Sequence, residues 1–128
     1  MNYLIREDDC LPFVLDKMMG NMRLEDGFTE EDEIFMYRNT DHVNYFIPSG
    51  NGFLCVSIYE EFVVIPFAWH IGKHSTLKEM VRLGKDLYKH YTIERCKPIY
   101  YTGLKNLYGH NSVEIAENLW MFEPKLYD

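Results

Sequence analysis

An α+β fold (α/β mixed sheet) is what this sequence predicts, and three observations predict it. Apolar residues recur near every 3.6 positions over residues 11–19, a second short helix is signalled after a polar, mixed segment that runs to Phe28, the pattern switches to strands over residues 43–69, and helical spacing returns after residue 75. Three strand-like runs, "VNYFIP", "FLCVSIY" and "FVVIPFAW", are separated only by "SGNG" and "EE", so they must form an antiparallel meander. A long amphipathic helix then leads to a further strand, "KPIYYTGL", and a helical crossover joins parallel neighbours.

The elements follow in order. "NYLIR" reads as a short strand with Tyr3 and Ile5 on one side. Asp8 or Asp9 offers an N-cap, and Pro12 fits the first turn of the next helix. Leu11, Val14, Leu15, Met18 and Met19 recur at helical spacing, and Gly20 supplies the stop. Thr29 and Asp32 have the spacing of a capping box, and Glu30, Glu31 and Glu33 suit the positive end of a helix dipole. A second short helix is therefore expected, with Ile34, Phe35 and Tyr37 toward the core and an end near Asn39. In the meander, Pro66 has no N–H to give, so its strand needs a bulge or an open flank there.

Ser75 or Thr76 is expected to cap the long helix. Leu77, Val81, Gly84, Tyr88 and Tyr91 then share one face, and Lys78, Arg82, Lys85 and Lys89 share the other. "HNSVEIAENL" reads as a last helix and "WMFEPKLY" as a last strand. The expected order is β α α β β β α β α β, one domain over residues 1–128, without repeat or linker.

Composition narrows the function. The chain is 47% hydrophobic and 16% aromatic, which excludes intrinsic disorder. Cys10, Cys55 and Cys96 are widely spaced with no CxxC pair, which argues against a disulfide framework or a zinc knuckle and for a reducing, cytoplasmic setting. "MNYLIREDD" has no apolar core of a secretory signal, and residues 62–69, the longest apolar run, are too few to span a bilayer. A soluble protein is expected. His70 and His74 are four apart across a turn with no carboxylate nearby, so no metal site is expected.

The net charge of −7 sits in the first third: residues 1–41 hold eleven acids and four bases, and residues 42–128 hold nine of each. That balance argues against specific nucleic-acid binding. The acidic first third and exposed tyrosines are candidate contacts for a protein partner, against the plainer reading of "TEEDE" as a solvated helix start. An acidic nucleic-acid mimic is a third, more distant alternative.

The element order, with "LIREDDCLPFVLDKMM" at one end and "NSVEIAENLWMF" at the other, resembles the GNAT superfamily of acyl-CoA-dependent N-acyltransferases over nearly the whole chain. The opening is similar to the family's first strand and helix, where an I-R pair precedes acidic residues. The closing resembles an N-x-x-x-I-x-x-x-x-x-L-G-F ending through Asn111, Ile115, Leu119 and Phe122, one residue short and with Trp120 or Met121 in place of glycine.

The resemblance implies that residues 62–69 form a strand bulging away from its neighbour, with backbone groups at Phe67, Ala68 and Trp69 open to the pantetheine arm of CoA or acetyl-CoA. It implies a pyrophosphate held by the next loop, where helix N-terminal amides and the dipole favour an anion. The family has R/Q-x-x-G-x-G/A there; this chain has Gly72, Lys73, His74, Ser75 and Thr76, with a single glycine. Asn111 joins the cofactor-binding set through the closing motif.

His70 is the candidate general base, since imidazole titrates near neutrality, and Tyr100 or Tyr101 the candidate acid. A strand-end histidine is also a common structural residue, and paired tyrosines are ordinary strand packing. The family's usual tyrosine on the last helix falls on Glu117 or Asn118. The compact, tyrosine-rich chain also resembles small bacteriophage proteins of acetyltransferase-like fold, including internal virion proteins. The resemblance implies a phage-type amine acylase homologue, in the host cytoplasm or virion, or the same fold kept as an inactive binding or virion structural module.

Overall fold

The computed structural model describes residues 5–6, 11–22, 24, 27–103 and 105–123. In chain order the elements are β1 (Ile5–Arg6), α1 (Leu11–Met18), α2 (Glu30–Arg38), β2 (His42–Phe46), β3 (Gly52–Ile58), β4 (Val63–His70) and α3 (His74–Leu87), which continues as π-helix over Tyr88–Glu94. Then come β5 (Ile99–Tyr101), α4 (Lys105–Tyr108), a 3-10 turn (Gly109–Asn111), β6 (Ser112–Ala116) and β7 (Leu119–Phe122). The strands form one mixed sheet in the order β1-β2-β3-β4-β5-β7-β6. The β2–β3–β4 meander is antiparallel, and β4 and β5, joined through α3, are parallel. Tyr3, Asp8 and Asp9 lie outside the described residues.

The capping box on α2 is present: Thr29 Oγ1 accepts from the Asp32 N–H at 3.1 Å, and Asp32 Oδ2 accepts from the Thr29 N–H at 3.0 Å. Glu30 reaches back to the end of α1, where both its oxygens accept from the Gly20 N–H at 3.0 and 2.7 Å. Gly20 has φ +81, the left-handed stop expected of it. Part of the acidic stretch is thus spent on joining two helices.

Alternation along the strands puts a core on each face of the sheet. Leu54, Val56, Val63 and Ile65 pack with Met80, Leu83 and Leu87 of α3. Phe46, Phe53, Cys55 and Phe67 pack with Val14 and Met18 of α1 and Tyr37 of α2. The Tyr37 hydroxyl donates to the Asn44 side-chain carbonyl inside this second core. The Tyr45 and Tyr91 hydroxyls meet at 2.7 Å inside the first.

Several apolar residues expected in the core are outside it. Phe35 is 67% exposed, whereas Tyr37 is buried. Residues two positions apart on a helix, such as Phe35 and Tyr37, point about 200° apart, so both cannot face one sheet. Met19, just past the end of α1, is also exposed. On α3 the buried face is Thr76, Met80, Leu83, Gly84 and Leu87, while Leu77 and Val81 are only half-buried. The helix starts earlier than expected, with Lys73 as its N-cap.

The closing segment departs from expectation. The last helix is α4, and the stretch read as helix forms β6 and a hairpin into β7. Asn118 turns that hairpin at φ 58, a conformation asparagine tolerates. The observed order ends β α β β.

Tyr108 of α4 is fully buried against α3. Its hydroxyl donates to the Met80 carbonyl at 2.8 Å, and its ring lies over Gly84, one helical turn on. A Cβ built on Gly84 would stand 2.6 Å from Tyr108 Cε1. Overpacking of this kind costs about 1–3 kcal/mol, and the helical gain of alanine over glycine is about 1 kcal/mol. Gly84→Ala is therefore expected to lower the urea unfolding midpoint, and the loss it causes should be smaller when measured in a Tyr108→Leu background.

Candidate functional site

The candidate site begins at Pro66. Cys55 pairs with Phe67 and Ser57 with Val64, so Ile65 and Pro66 together oppose the single residue Val56. This is a β-bulge, and it turns the strand over. Val63 and Ile65 face α3 before it; Phe67 faces α1 and α2 after it. On the other side, the ladder to β5 runs only from Val63–Ile99 to Ile65–Tyr101. Beyond Ile65, no described strand pairs with β4 on that flank. Residues 66–70 therefore present a free strand edge where β4 runs on past Tyr101, the end of β5; this flank is the β4–β5 opening.

At the mouth of this opening α3 begins. Its first ladder bond is from the Leu77 N–H to the Lys73 carbonyl at 2.9 Å, so the amides of His74, Ser75 and Thr76 precede the ladder. No side chain from the N-cap residue caps them, and the first turn carries no acid. Gly72 makes the turn into the helix at φ +79 with open space around it. Gly72, Lys73, His74 and Ser75 are exposed, and Thr76 is buried. Electrostatically, this end suits an anion.

The structure divides the remaining candidates. The Trp69 side chain turns away from α3 to pack on Phe13 and Phe53 at centroid distances of 5.4 and 5.8 Å, with Lys17 Nζ 4.8 Å above its ring. Only backbone groups of Trp69 are left for the opening. His70 is half-buried, and its Nδ1 accepts from the Gly72 N–H at 3.1 Å. A backbone N–H can only donate, so neutral His70 carries its proton on Nε2. That ring offers a donor to a ligand oxygen rather than a lone pair to an amine proton.

Tyr101 does not reach the opening as a proton donor. It is fully buried among Tyr108, Trp120 and Phe122, and its hydroxyl makes no hydrogen bond among the described residues. Tyr100 is half-buried and stacks edge-on to Phe62. Asn111 is not brought to the loop. It precedes Ser112, which pairs with Phe122, and so lies near the start of β4 and β5, at the opposite end of the sheet from Gly72. Glu117 and Asn118 sit on a hairpin tip rather than a helix. A tyrosine does stand on the last helix, Tyr108, but its hydroxyl is already committed to Met80.

Tyrosines 37, 45, 88, 91, 101 and 108 are all core residues; Tyr59 is exposed. Of the basic residues expected on one face of α3, Lys78, Arg82 and Lys85 border a groove, but Leu77 and Val81, expected on the other face, line it with them, and Lys89 lies beyond it in the π-helical segment. Among the described residues, no group of three His, Cys, Asp or Glu could hold a metal ion, and no helix is long and apolar enough to cross a membrane. No family model matches the chain, and no curated protein or solved structure matches it either.

Burial also fixes how the molecule responds to alkali. It pushes the Cys55 thiol from 9.0 up to about 12, against a smaller opposing effect of the Tyr37 hydrogen bond. It raises the Tyr37, Tyr101 and Tyr108 phenols above their ordinary 10.0. The folded state holds these protons more tightly than the unfolded chain. Their stabilisation is complete below pH 9 and is lost as pH rises from 9 toward about 12 for the thiol, and from 10.0 upward for the phenols. The urea midpoint is expected to be insensitive to these groups below pH 9 and to fall above it, with Cys55→Ala removing the earliest part of the fall.

Proposed function

We propose that this chain is a GNAT-type domain that binds CoA and acetyl-CoA in the β4–β5 opening, in the service of acyl transfer to an amine. The observation that carries this reading is the parallel β4–β5 pair, which holds for three residue pairs and then loses its ladder at the Pro66 bulge with a helix N-terminus at the mouth. The antiparallel meander and the α3 crossover support it further. Pantetheine carries amides in an extended chain, and the free edge at residues 67–70 can pair with such a chain as it would with a strand. Lys73 and the amides of His74, Ser75 and Thr76 would hold the pyrophosphate. The His70 Nε2–H is a further donor along that track.

Acetyl-CoA supplies an acyl group activated as a thioester. Backbone N–H groups on the open edge are of the kind that stabilise charge developing on a carbonyl oxygen. Proton transfer is less well provided for, because Tyr101 and Tyr108 are buried and His70 Nδ1 is engaged. These observations favour one second reading: a domain that binds the cofactor without turning it over.

Calorimetric titration with CoA and acetyl-CoA tests the binding. A cofactor present at a hundred times its dissociation constant should stabilise the fold by about 2.7 kcal/mol, and Lys73→Glu should weaken binding tenfold or more. No heat and no melting shift at millimolar acetyl-CoA would overturn the proposal. Release of free thiol from acetyl-CoA in the presence of amines separates the two readings: turnover supports the transferase, and binding without release supports the silent domain.

A further inference from the structure

The apolar residues that helical spacing assigns to the core, but that the fold leaves outside, fall into two patches. One is Met19 and Phe35, with half-buried Ile34, where α1 ends beside α2. The other is half-buried Leu77 and Val81 on α3. These helices cover opposite faces of the sheet, because α1 and α2 pack on Phe53 and Phe67 while α3 packs on Leu54 and Ile65. Each patch is concave, with cavity volumes of about 520 Å³ on the α2 side and about 500 Å³ on the α3 side.

Their surroundings are opposite in charge. The α2 patch has Glu31 and Arg38 in its wall and lies on a helix whose first turn is entirely acidic, with Glu30, Glu31, Asp32 and Glu33. The α3 patch is walled by His74, Lys78, Arg82 and Lys85. Phe35, the most exposed large hydrophobic residue among those described, projects from the acidic patch. Leu77 and Val81, one turn apart, are spaced to receive it.

We propose that these patches are the two halves of one interface between copies of this chain, with Phe35 of one copy seated between Leu77 and Val81 of the next and Glu31 facing Lys78. Because the two halves are different surfaces on opposite faces of the sheet, the contact is heterologous. It leaves one unused patch at each end of any pair, so copies add head to tail instead of stopping at a dimer. The charged walls set the register, and the aromatic insertion supplies the burial. Association is therefore concentration-dependent and weakened by salt, since exposed charges are screened within about 8 Å at physiological ionic strength.

Sedimentation velocity of the full chain over a range of concentrations, at low and high salt, is the test. Glu31, Phe35 and Lys78 are all exposed, so Glu31→Lys, Phe35→Ser and Lys78→Glu should fold normally, which circular dichroism verifies. The wild-type chain should gain mass with concentration beyond a dimer and lose it with salt, and each variant should remain a monomer. An equimolar mixture of Glu31→Lys and Lys78→Glu should associate again, because every junction in it joins opposite charges. A wild-type chain monomeric throughout would overturn the proposal. So would association that survives Phe35→Ser, or a mixture that stays monomeric.

Discussion

Pro66 has no N–H, and a strand held between two neighbours cannot carry it without losing a rung of the ladder. The chain accommodates it by setting two residues of β4 against Val56 alone. One consequence follows from that local exchange. The faces of β4 trade places, which delivers Phe67 to the core under α1 and α2 while Val63 and Ile65 remain under α3. The missing N–H also falls where β5 ends, since Tyr101 pairs with Ile65, and residues 66–70 keep a free edge. The candidate site therefore begins where the sheet stores a proline.

The position of α3 governs the rest. Its N-terminus can sit at the mouth of the opening only if the helix is held down along its length. Met80, Leu83 and Leu87 bury against the sheet, and Gly84 provides the notch in which the Tyr108 ring lies. The phenol that closes this notch belongs to the last helix, so α4 acts as a clamp on α3. The same bond removes Tyr108 from any part in proton transfer. Structural and chemical uses of one hydroxyl compete here, and the structural use has it.

Much of the fold was legible because it rests on local chemistry. Connections of two to four residues force a meander, Thr29 with Asp32 forces a helix start, and Pro66 forces a break. Of the face expected for α3, Gly84, Tyr88 and Tyr91 are buried, but Leu77 and Val81 are not, because one stripe cannot run from Leu77 to Tyr91. The ladder becomes π-helical at Tyr88, which shifts the phase, and the true face runs through Met80, Leu83 and Leu87. The β6–β7 hairpin was missed although "SVEIA" alternates with period two and "EN" is turn chemistry. In the site, the loop residues were legible from Gly72 and the helix after it. The state of His70 was not, because it depends on one backbone N–H folding back to Nδ1, and neither was the burial of Tyr101, which depends on α4 and β7.

The central claim is that backbone groups beyond the bulge are free to take a ligand. Amide hydrogen exchange of residues 67–70 and 74–76, followed by NMR with and without CoA, addresses it most directly. In the free protein, the amides of residues 67–70 that face β3 should be protected, and those facing the opening should exchange fast. Addition of CoA should protect the fast set together with His74, Ser75 and Thr76. Uniform protection of residues 67–70 without ligand, or exchange unchanged by millimolar CoA, would contradict the account.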